Sequence, residues 1–533
     1  MERLDNLEGL EFDLTVIGGG CVGAGVARDA ALRGLKTLLV EQEDFGSGTS
    51  SRTSKIIHGG IRYLEQGDFS LVLEALQERF ILERTAPHLV QPVRFLIPVY
   101  EKGPRPLWMV RLGLFLYDLL SLFRNPSRFG VVGREKTLAL LPSLNPEALV
   151  GAGVYYDSRM NDSRLVLETV LSAREAGAVA LNYVKAVGFK KTGNKLSGVV
   201  LRDVLRGSER EVQCGLFVNA TGAWGPEVSE MAREPSPVRV RMTRGTHIIV
   251  PSFTGDDAVV VSPKNERRIF FVIPWFGKSL IGTTDIDYQG DPGAVQPTRE
   301  EISYLLKETR YYFPGAPLEG KDILFSYAGI RPLLDCPGIP PSKVSRHTRI
   351  TENRAGLISV TGGKFTTYRS TAEKVVDRVG KWLLRTDLRG CQTREEPLYG
   401  GNFPRGLQSY LNRQVPLVVR ETGLEEASVR YLVGQYGTRS EKMFDWIRQD
   451  RKWGEKVLKN FPAVRAEVRY AVEHEMARTL DDFVRRRSRL AFEGILEKET
   501  LEKIAKWMAS YQEWDQARIQ REVETALSKN SFL

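Results

Sequence analysis

The sequence predicts a mixed α/β protein. A Rossmann-like dinucleotide-binding domain carries an inserted antiparallel sheet and is followed by an all-helical C-terminal domain. Three observations indicate this: a βαβ unit near the start, short β-branched and aromatic runs at residues 238–287, and polar helical sequence beyond residue 390. Because 533 residues exceed what one core usually supports, at least two domains are expected.

The βαβ unit covers residues 12–41. An apolar run at residues 14–17 predicts a buried parallel strand and leads into GGGCVG at residues 18–23, which fits G-x-G-x-x-G. Alanine and valine at helical spacing then predict a helix, and residues 36–40 predict a second strand closed by Glu41. A glycine-rich turn without a ligand is the alternative, but strand, helix, strand and acid together favour dinucleotide binding.

Each glycine of the turn has a predicted purpose. Gly18 allows the tight turn, Gly20 lets the backbone approach a pyrophosphate, and Gly23 lets the helix lie close to the strand. The diphosphate is expected at the positive end of the helix. Glu41, 23 residues after Gly18, is expected to accept hydrogen bonds from the adenosine ribose hydroxyls.

The rest of the chain predicts two further regions. Runs such as RGTHIIVP, RIFFVIPW and SLIGTTDI indicate an antiparallel sheet. Helices are predicted at residues 69–84, 161–177, 298–312 and 366–384, with Asp162 or Ser163 as the cap of the second. We expect a cofactor domain at 1–389, with substrate-binding parts at about 70–150 and 235–335, and a helical domain at 390–533.

The composition limits the partners. A net charge of +10 suits an anionic substrate, a nucleic acid or an anionic membrane surface. The four cysteines are too far apart for a zinc site or an iron–sulfur cluster, which indicates a reducing, cytosolic compartment. Residues 1–11 lack an apolar signal-peptide core, so export is not expected.

Residues 107–123 form the most apolar stretch. Arg111 and Asp118 interrupt it, so we do not expect it to cross a bilayer, which takes ~20 nearly uncharged residues. It either lies on a membrane surface or is buried between domains.

The run Arg485-Arg486-Arg487-Ser488-Arg489 could favour a nucleic acid. The neighbouring Asp481 and Asp482 instead indicate a helix with internal ion pairs, so no nucleic-acid partner is expected.

The loop at residues 46–66 is rich in glycine and hydroxyl residues. It exposes N–H and O–H donors beside the second strand, which suits close approach to a cofactor. His58, Arg62 and Tyr63 place a titratable group, a cation and a phenol within six residues. A second glycine turn follows LFVNATG at residues 216–222 and belongs to another strand end of the nucleotide-binding sheet.

Motifs along the whole chain carry a family resemblance. They are VIGGGCVGAGVARDAALRG, TSSRTSKIIHGGIRYLE, FVNATGAWG, RGTHIIVP, LIGTTDIDYQGDP, SYAGIRPL and VTGGKFTTYR, in this order. The chain resembles the FAD-dependent, respiratory glycerol-3-phosphate dehydrogenases. The resemblance implies a glycine/D-amino-acid oxidase-like flavoprotein fold and a bound FAD. It also implies oxidation of glycerol 3-phosphate to dihydroxyacetone phosphate, with hydride passing from C2 to flavin N5 and electrons to a membrane quinone.

The same resemblance implies peripheral attachment to the inner, cytoplasmic face of the cell membrane, and it allows a homodimer. The branch of the family with a cysteine-rich C-terminal domain is disfavoured, because only Cys391 lies beyond residue 336. Two alternatives stay open: a glycerol-3-phosphate oxidase that uses oxygen, and an amine- or amino-acid-oxidising flavoenzyme of the same fold. The first is less expected because there is no room for its insertion between Tyr327 and Thr361.

The resemblance also suggests site residues. Arg331 and Lys364 are expected to bind the substrate phosphate, since Arg suits bidentate contact and Lys supplies a mobile charge. Further expected substrate contacts are Arg62, Tyr63, Thr284 and Asp285. The general base is expected to be His247, with His58 as the other candidate and Arg331 stabilising a developing alkoxide. We expect the cofactor contacts to be Gly18, Gly20, Gly23, Glu41, Thr49, Ser50, Ser51, Ser54, His58, Gly60, Ala220, Thr221, Gly222, Trp224, Gly363, Lys364, Phe365 and Thr366. No metal site is expected.

Overall fold

The structure is a computed structural model that describes residues 4–263, 269–340, 344–494 and 496–529. Its strands, in chain order, are β1 (Glu11–Phe12), β2 (Leu14–Ile17), β3 (Thr37–Glu41), β4 (Ile56–Ile57), β5 (Val90–Tyr100), β6 (Gly130–Gly133), β7 (Leu149–Met160), β8 (Val179–Asn182), β9 (Val184–Thr192), β10 (Lys195–Asp203), β11 (Glu209–Cys214), β12 (Phe217–Asn219), β13 (Val240–Pro251), β14 (Ala258–Val261), β15 (Phe270–Trp275), β16 (Lys278–Gly282), β17 (Ile286–Asp287), β18 (Phe325–Leu334), β19 (Thr348–Glu352) and β20 (Leu357–Gly362).

The helices connect and cover these strands. They are α1 (Cys21–Leu32), α2 (Phe69–Thr85), α3 (Leu107–Leu120), α4 (Arg134–Leu140), α5 (Asp162–Glu175), α6 (Gly225–Met231), α7 (Arg299–Tyr312), α8 (Tyr368–Trp382), α9 (Leu407–Thr422), α10 (Glu426–Tyr436), α11 (Ser440–Gln449), α12 (Arg465–Glu473), α13 (Leu480–Asp482), α14 (Lys498–Gln512) and α15 (Gln516–Ser528).

A six-stranded sheet forms the centre of the nucleotide-binding region, in the order β19-β20-β12-β2-β3-β8. Its inner pairs are parallel, and only β19 runs antiparallel to its neighbour. Strand β2 is buried along its whole length, because α1, α5 and α8 cover one face of the sheet. The carboxyl ends of β2, β3 and β12 meet at one edge, where a doubly wound sheet binds its ligand.

A ten-stranded, mainly antiparallel sheet stands beside the first. Its central order is β17-β13-β16-β15-β14-β5-β7-β4, and β18 pairs with β13 while β6 pairs with β7. Strand β18 lies antiparallel to β13 with Arg331 opposite Thr243 and Tyr327 opposite His247. The predicted fold class, a parallel nucleotide-binding sheet with an inserted antiparallel sheet, is therefore confirmed.

The N-cap of helix α5 lies one residue before the first predicted cap residue, Asp162. The side chain of Asn161 accepts a hydrogen bond from the backbone N–H of Arg164, so Asn161 is the N-cap, and the prediction of Asp162 or Ser163 is wrong. Asp162 has another partner. Its carboxylate pairs with the fully buried ammonium of Lys55 at 2.6 Å and also accepts a hydrogen bond from the backbone N–H of Ser163 at 2.8 Å.

Helices α9 to α15 pack around an apolar core of their own, which includes Leu432, Phe444, Ile447 and Leu501. This confirms the predicted all-helical C-terminal part, whereas the boundary at residue 390 stays a prediction. The arginine run forms a π-helical turn at Phe483–Arg487. Arg485 pairs with Asp481 and Arg486 with Asp482, as predicted.

Helix α3 is amphipathic and buries only one face. Val110, Leu114 and Tyr117 are buried against the antiparallel sheet, whereas the other face exposes large apolar side chains. These exposed side chains, here called the apolar α3 face, belong to Trp108, Met109, Leu112, Phe115, Leu119, Leu122 and Phe123. Trp108 is 65% exposed, so α3 is not a helix buried between domains.

In the part of the chain that the structure describes, no helix has both the length and the apolar character needed to span a membrane.

Candidate functional site

The glycine-rich turn between β2 and α1 has the geometry that the sequence predicts. Gly18 has a φ of +104°, which side chains rarely adopt. A Cβ on Gly23 would lie 1.8 Å from the carbonyl oxygen of Gly18, so only glycine permits this contact between helix and turn. Helix α1 starts after Gly20, which has no side chain to act as a cap, and the first N–H group of the helix, that of Cys21, donates to the hydroxyl of Ser50 at 3.0 Å. The positive end of the helix suits an anion.

Glu41 lies at the end of β3, beside this turn. Its carboxylate accepts hydrogen bonds from the backbone N–H groups of Gly19, at 2.7 Å, and Glu43, at 3.0 Å. Burial nevertheless raises its pKa to about 7, because the two hydrogen bonds only partly offset the loss of hydration.

Two adjoining cavities run from this turn to the antiparallel sheet. The larger has a volume of about 340 Å³ and the smaller about 120 Å³, and both are lined by Gly20, Thr49, Ser50, Ala220 and Gly222. The predicted residues that line at least one of them are Gly18, Gly20, Glu41, Thr49, Ser50, Ser54, His58, Gly60, Arg62, Tyr63, Ala220, Thr221, Gly222, Trp224, His247, Thr284, Asp285, Arg331, Gly363, Lys364, Phe365 and Thr366. The sequence therefore predicted which distant segments meet here.

Gly23 and Ser51 are the predicted residues that line neither cavity. Gly23 acts on the turn through its close packing against Gly18. The carbonyl oxygen of Ser51 accepts a hydrogen bond from the Lys55 ammonium, and the expected contact of Ser51 with a cofactor stays a prediction.

Arg331 is held in place on the wall of the larger cavity. Its guanidinium donates hydrogen bonds to the carbonyl oxygen of Thr284 and to Oδ1 of Asp285 from Nη1, and to the hydroxyl of Thr283 from Nη2. Burial lowers its pKa to about 10 despite the attraction of Asp285, so the side chain stays charged at neutral pH.

Lys364, Tyr63 and Arg62 lie together at another part of the same wall. The Lys364 ammonium lies 4.9 Å from the centre of the Tyr63 ring and donates a hydrogen bond to the carbonyl oxygen of His58. Burial lowers the pKa of Lys364. Although burial opposes ionisation of Tyr63, the positive charges of Lys364, Arg346 and Arg62 lower the pKa of its phenol, which shows a strongly positive local potential.

Arg346 and Arg52 also line the larger cavity, and the sequence analysis did not select them. Arg346 lies 3.9 Å from Asp285, on the far side of that carboxylate from the direct Arg331 contact. Only its positive charge, which suits an anionic substrate, could have suggested Arg346 as a site residue. Among the described lining residues, five cations face only the carboxylates of Asp157 and Asp285.

The two candidate bases differ in their hydrogen bonds. Nε2 of His247 lies 2.8 Å from the Ser54 hydroxyl, its ring stacks on Tyr327, and its enclosed Nδ1 has no partner among the described residues. His58 is only half-buried, and neither ring nitrogen has a hydrogen-bond partner within the described ranges. Burial, then nearby cations, lower both pKa values well below 6.5, so both imidazoles are neutral at pH 7.

The hydroxyl of Thr284 is already engaged. It donates to Glu301 at 2.6 Å and accepts from the backbone N–H of Thr246 at 2.8 Å. Thr284 is 1% exposed, so the expected substrate contact through its hydroxyl is not supported.

No cluster of three or more metal-ligating side chains occurs in the described part of the chain. The four cysteines are unpaired with one another.

The comparisons with known proteins agree with this geometry. The family described as FAD dependent oxidoreductase matches residues 13–377, and the C-terminal domain of alpha-glycerophosphate oxidase matches residues 391–519. The glycerol-3-phosphate dehydrogenase of Synechocystis sp. is 38% identical over 92% of this chain and 91% of its own length. The aerobic glycerol-3-phosphate dehydrogenase of Staphylococcus haemolyticus is 33% identical over 98% of this chain and 96% of its own.

A solved structure is also similar along both chains. The glycerol-3-phosphate dehydrogenase of Bacillus halodurans, complexed with FAD, is 31% identical and superimposes with a TM-score of 0.82 over 99% of this chain and 96% of its own. The resemblance deduced from the motifs and the expected cofactor FAD are thereby confirmed. The chain belongs to the FAD-dependent glycerol-3-phosphate dehydrogenase family and is a flavoenzyme of the glycerol-3-phosphate dehydrogenase and oxidase type.

Proposed function

We propose that this enzyme oxidises sn-glycerol 3-phosphate to dihydroxyacetone phosphate and passes the electrons to a quinone in a membrane. The observation that carries the substrate proposal is the excess of cations around the larger cavity. A phosphate dianion would balance the excess positive charge of the cavity wall, which comes from Arg331, Arg346, Lys364 and Arg62. An amino-acid carboxylate carries half that charge, so an amine- or amino-acid-oxidising activity is not favoured.

The residues present fit FAD. The positive end of α1 and the close approach allowed by Gly18 and Gly20 suit a diphosphate, and Glu41 stands at the strand end where ribose hydroxyls are bound. When bound, FAD supplies the acceptor for the hydride that leaves C2 of the substrate. Gly363 and Thr366, which line the larger cavity, would contact the cofactor from the side of β20.

The substrate would be oriented by charge at one end. Arg331 is fixed by Asp285 and Thr283, so it can offer a rigid fork to the phosphate, whereas Lys364 offers a point charge. Binding the phosphate in this way restricts the orientation of a small substrate in the cavity.

The proton of that hydroxyl needs an acceptor. Both imidazoles are neutral, but His58 is the stronger candidate because its ring nitrogens are free of hydrogen bonds to the described residues. His247 would then be a wall residue of the cavity, with its ring held by the Ser54 hydroxyl and by stacking on Tyr327. This reverses the preference for His247 that the sequence suggested.

The quinone acceptor and membrane attachment are supported by the apolar α3 face. Side chains such as Trp108, Leu112 and Phe115 lie exposed on one side of the helix, with Arg111 and Arg124 exposed nearby. This combination suits the interface of an anionic bilayer. On the opposite side of α3, the hydroxyl of Tyr117 donates to Asp157 and accepts from the N–H of Gly59, so the helix contacts the loop at residues 46–66.

Anaerobic mixing tests the proposal. Purified enzyme is mixed with glycerol 3-phosphate while the visible absorption of oxidised flavin is recorded, and a quinone analogue or oxygen is then added. We expect bleaching by the substrate and fast recovery with the quinone analogue. Fast recovery with oxygen alone would instead indicate an oxidase, and flavin that stays oxidised would exclude the proposed substrate.

A further inference from the structure

A carboxylate of the cofactor domain is held by arginines from the C-terminal helical domain. Asp44 is fully buried. Its Oδ2 accepts hydrogen bonds from Nε of Arg486, at 2.5 Å, and from Nη1 of Arg487, while its Oδ1 accepts from Nη2 of Arg487 at 2.9 Å. These partners are more than 440 residues apart in the sequence.

Both arginines are themselves fixed. Arg486 also pairs with Asp482 at 2.7 Å, and Arg487 donates to the carbonyl oxygen of Glu475 at 2.6 Å. Arg487 is fully buried, and its planar guanidinium binds both oxygens of Asp44. Oδ1 of Asp44 also accepts a hydrogen bond from Nδ2 of Asn182 in β8 at 3.0 Å. The three hydrogen bonds from Arg486 and Arg487 are those that the C-terminal domain contributes to Asp44.

The residues next to Asp44 support the glycine-rich turn. The N–H of Gly46 donates to the carbonyl oxygen of Gly19 at 3.0 Å. The buried ring of Phe45 packs against Gly19 so closely that a Cβ there would lie 2.6 Å from it. Glu41, whose carboxylate binds the Gly19 N–H, lies three residues before Asp44. We call residues 41–46 the support loop.

We propose that Arg486 and Arg487 are positioning residues of the FAD site. By holding Asp44 they fix the support loop against the glycine-rich turn, so the affinity for FAD depends on the C-terminal domain. The inference rests on the assignment of the turn and Glu41 to FAD, and it is independent of the substrate and the electron acceptor.

The alternative is an ion cluster that only joins two domains. Such a cluster would raise the stability of the protein with and without FAD by the same amount, because the cofactor would not sense it. A positioning cluster instead couples to FAD, and coupling between two sites is reciprocal. Binding of FAD should then also order the C-terminal residues around Arg487.

The first test compares FAD binding in Asp44→Asn and Arg487→Lys with that in Arg448→Gln. Arg448 belongs to a partly exposed ion-pair group of the helical domain and serves as the matched control. We expect the FAD dissociation constant, measured by titrating apoenzyme, to rise about tenfold in the first two variants and to stay unchanged in the control. The rise in melting temperature on adding FAD should shrink in the same two variants. Equal losses of stability with and without FAD, at unchanged FAD affinity, would overturn the proposal.

The second test needs no variant, so it remains valid if those substitutions prevent folding. Hydrogen exchange is measured on the full-length wild-type protein as apoenzyme and after saturation with FAD. We expect slower exchange on FAD binding at residues 480–490, although none of them lines either cavity. Helix α9, at residues 407–422, provides the internal control, because none of the hydrogen-bond partners of the Asp44 side chain lies in it. Protection confined to cavity-lining segments would contradict the proposal, whereas the substrate assignment would be unaffected.

Discussion

The Nη1 atom of Arg331 lies 3.0 Å from Oδ1 of Asp285, on the wall of the larger cavity. This pair holds the guanidinium in one orientation while the positive charge of the surrounding wall remains in excess. The arrangement connects the residue to the proposed binding of the substrate phosphate.

Replacing Arg331 by Ala should therefore weaken substrate binding without loss of FAD. Loss of a charge-assisted hydrogen bond costs about 1.5–3 kcal/mol, so KM for glycerol 3-phosphate should rise at least roughly tenfold. Steady-state kinetics and the flavin content per chain measure the two effects. Arg202→Ala, in an exposed pair with Glu209, is the control. A variant with normal KM but little flavin would show that the assignment of Arg331 is wrong.

Substitution of the two histidines separates their proposed roles. His58→Gln should reduce kcat by roughly 10²–10⁴-fold, the usual contribution of a general base. His247→Gln keeps a hydrogen-bonding side chain near Ser54, so it should reduce kcat by a smaller factor. The order of the two effects decides between the candidates, and a larger loss for His247→Gln would return the role of base to that residue.

The pH dependence provides an independent check on His58. Burial and the nearby Lys364 and Arg62 charges lower its pKa well below 6.5, so the imidazole stays neutral as pH falls through 6.5. Protonation below its pKa would remove the base. We expect the limb of the kcat profile that is lost in His58→Gln to lie well below pH 6.5. A limb at 6.5 or above would contradict the proposed environment of His58.

Glu467 should make the protein less stable as the pH rises. Its Oε1 accepts hydrogen bonds from Tyr431 and Tyr436, and burial raises its pKa from 4.5 to about 8. Between these values the folded state binds a proton that the unfolded state has released, so the free energy of unfolding falls with increasing pH. The contribution changes by about 1.4 kcal/mol per pH unit within this window.

The comparison with Glu467→Gln isolates this effect. Urea unfolding of both proteins is measured from pH 5 to pH 9. The free energy of unfolding of the variant should increase relative to that of the wild type as the pH rises. Parallel curves across the whole range would mean that Glu467 does not change its protonation in this window.

Membrane binding should depend on the apolar α3 face. Trp108→Glu combined with Leu112→Glu removes two large exposed apolar side chains, and burial of each such side chain is worth up to about 1.5–3 kcal/mol. Co-sedimentation with anionic vesicles should therefore fall at least roughly tenfold. Leu384→Glu is the control, since Leu384 is 86% exposed but lies far along the chain from α3. Equal losses in both variants would argue against a specific attachment surface.

Gly23→Ala should prevent the turn from closing. The added Cβ would meet the carbonyl oxygen of Gly18 at 1.8 Å, so the backbone must shift and the FAD dissociation constant should rise. Gly434→Ala, a helical position with open space around it, should leave FAD binding unchanged. Apoenzyme titration and thermal unfolding measure both. A Gly23→Ala protein that binds FAD normally would remove the basis for the role of this glycine.

The sequence predicted the elements whose signals are local. The strand, turn and helix around Gly18 follow from apolar periodicity and glycine spacing, and the antiparallel sheet follows from short β-branched runs. Contacts that depend on long-range placement were not predictable. Nothing in the sequence near Asp44 indicates that two of its partners, Arg486 and Arg487, lie beyond residue 480. Asn161 caps α5, whereas the carboxylate of Asp162, the predicted cap, pairs with the buried Lys55, a partner 107 residues away in the sequence.

Through Tyr117, helix α3 also supports the loop that contains Gly59, so the helix cannot be removed from the enzyme without affecting that loop. The hydroxyl of Tyr117 lies 2.9 Å from the N–H of Gly59 and 2.7 Å from Asp157, on the buried side of the helix whose other side is apolar and exposed. An engineer who removed α3 to obtain a more soluble biocatalyst would also leave the Gly59 N–H without one of its hydrogen-bond partners. Solubility is better sought by exchanging outward side chains one at a time, with the helix backbone and Tyr117 kept.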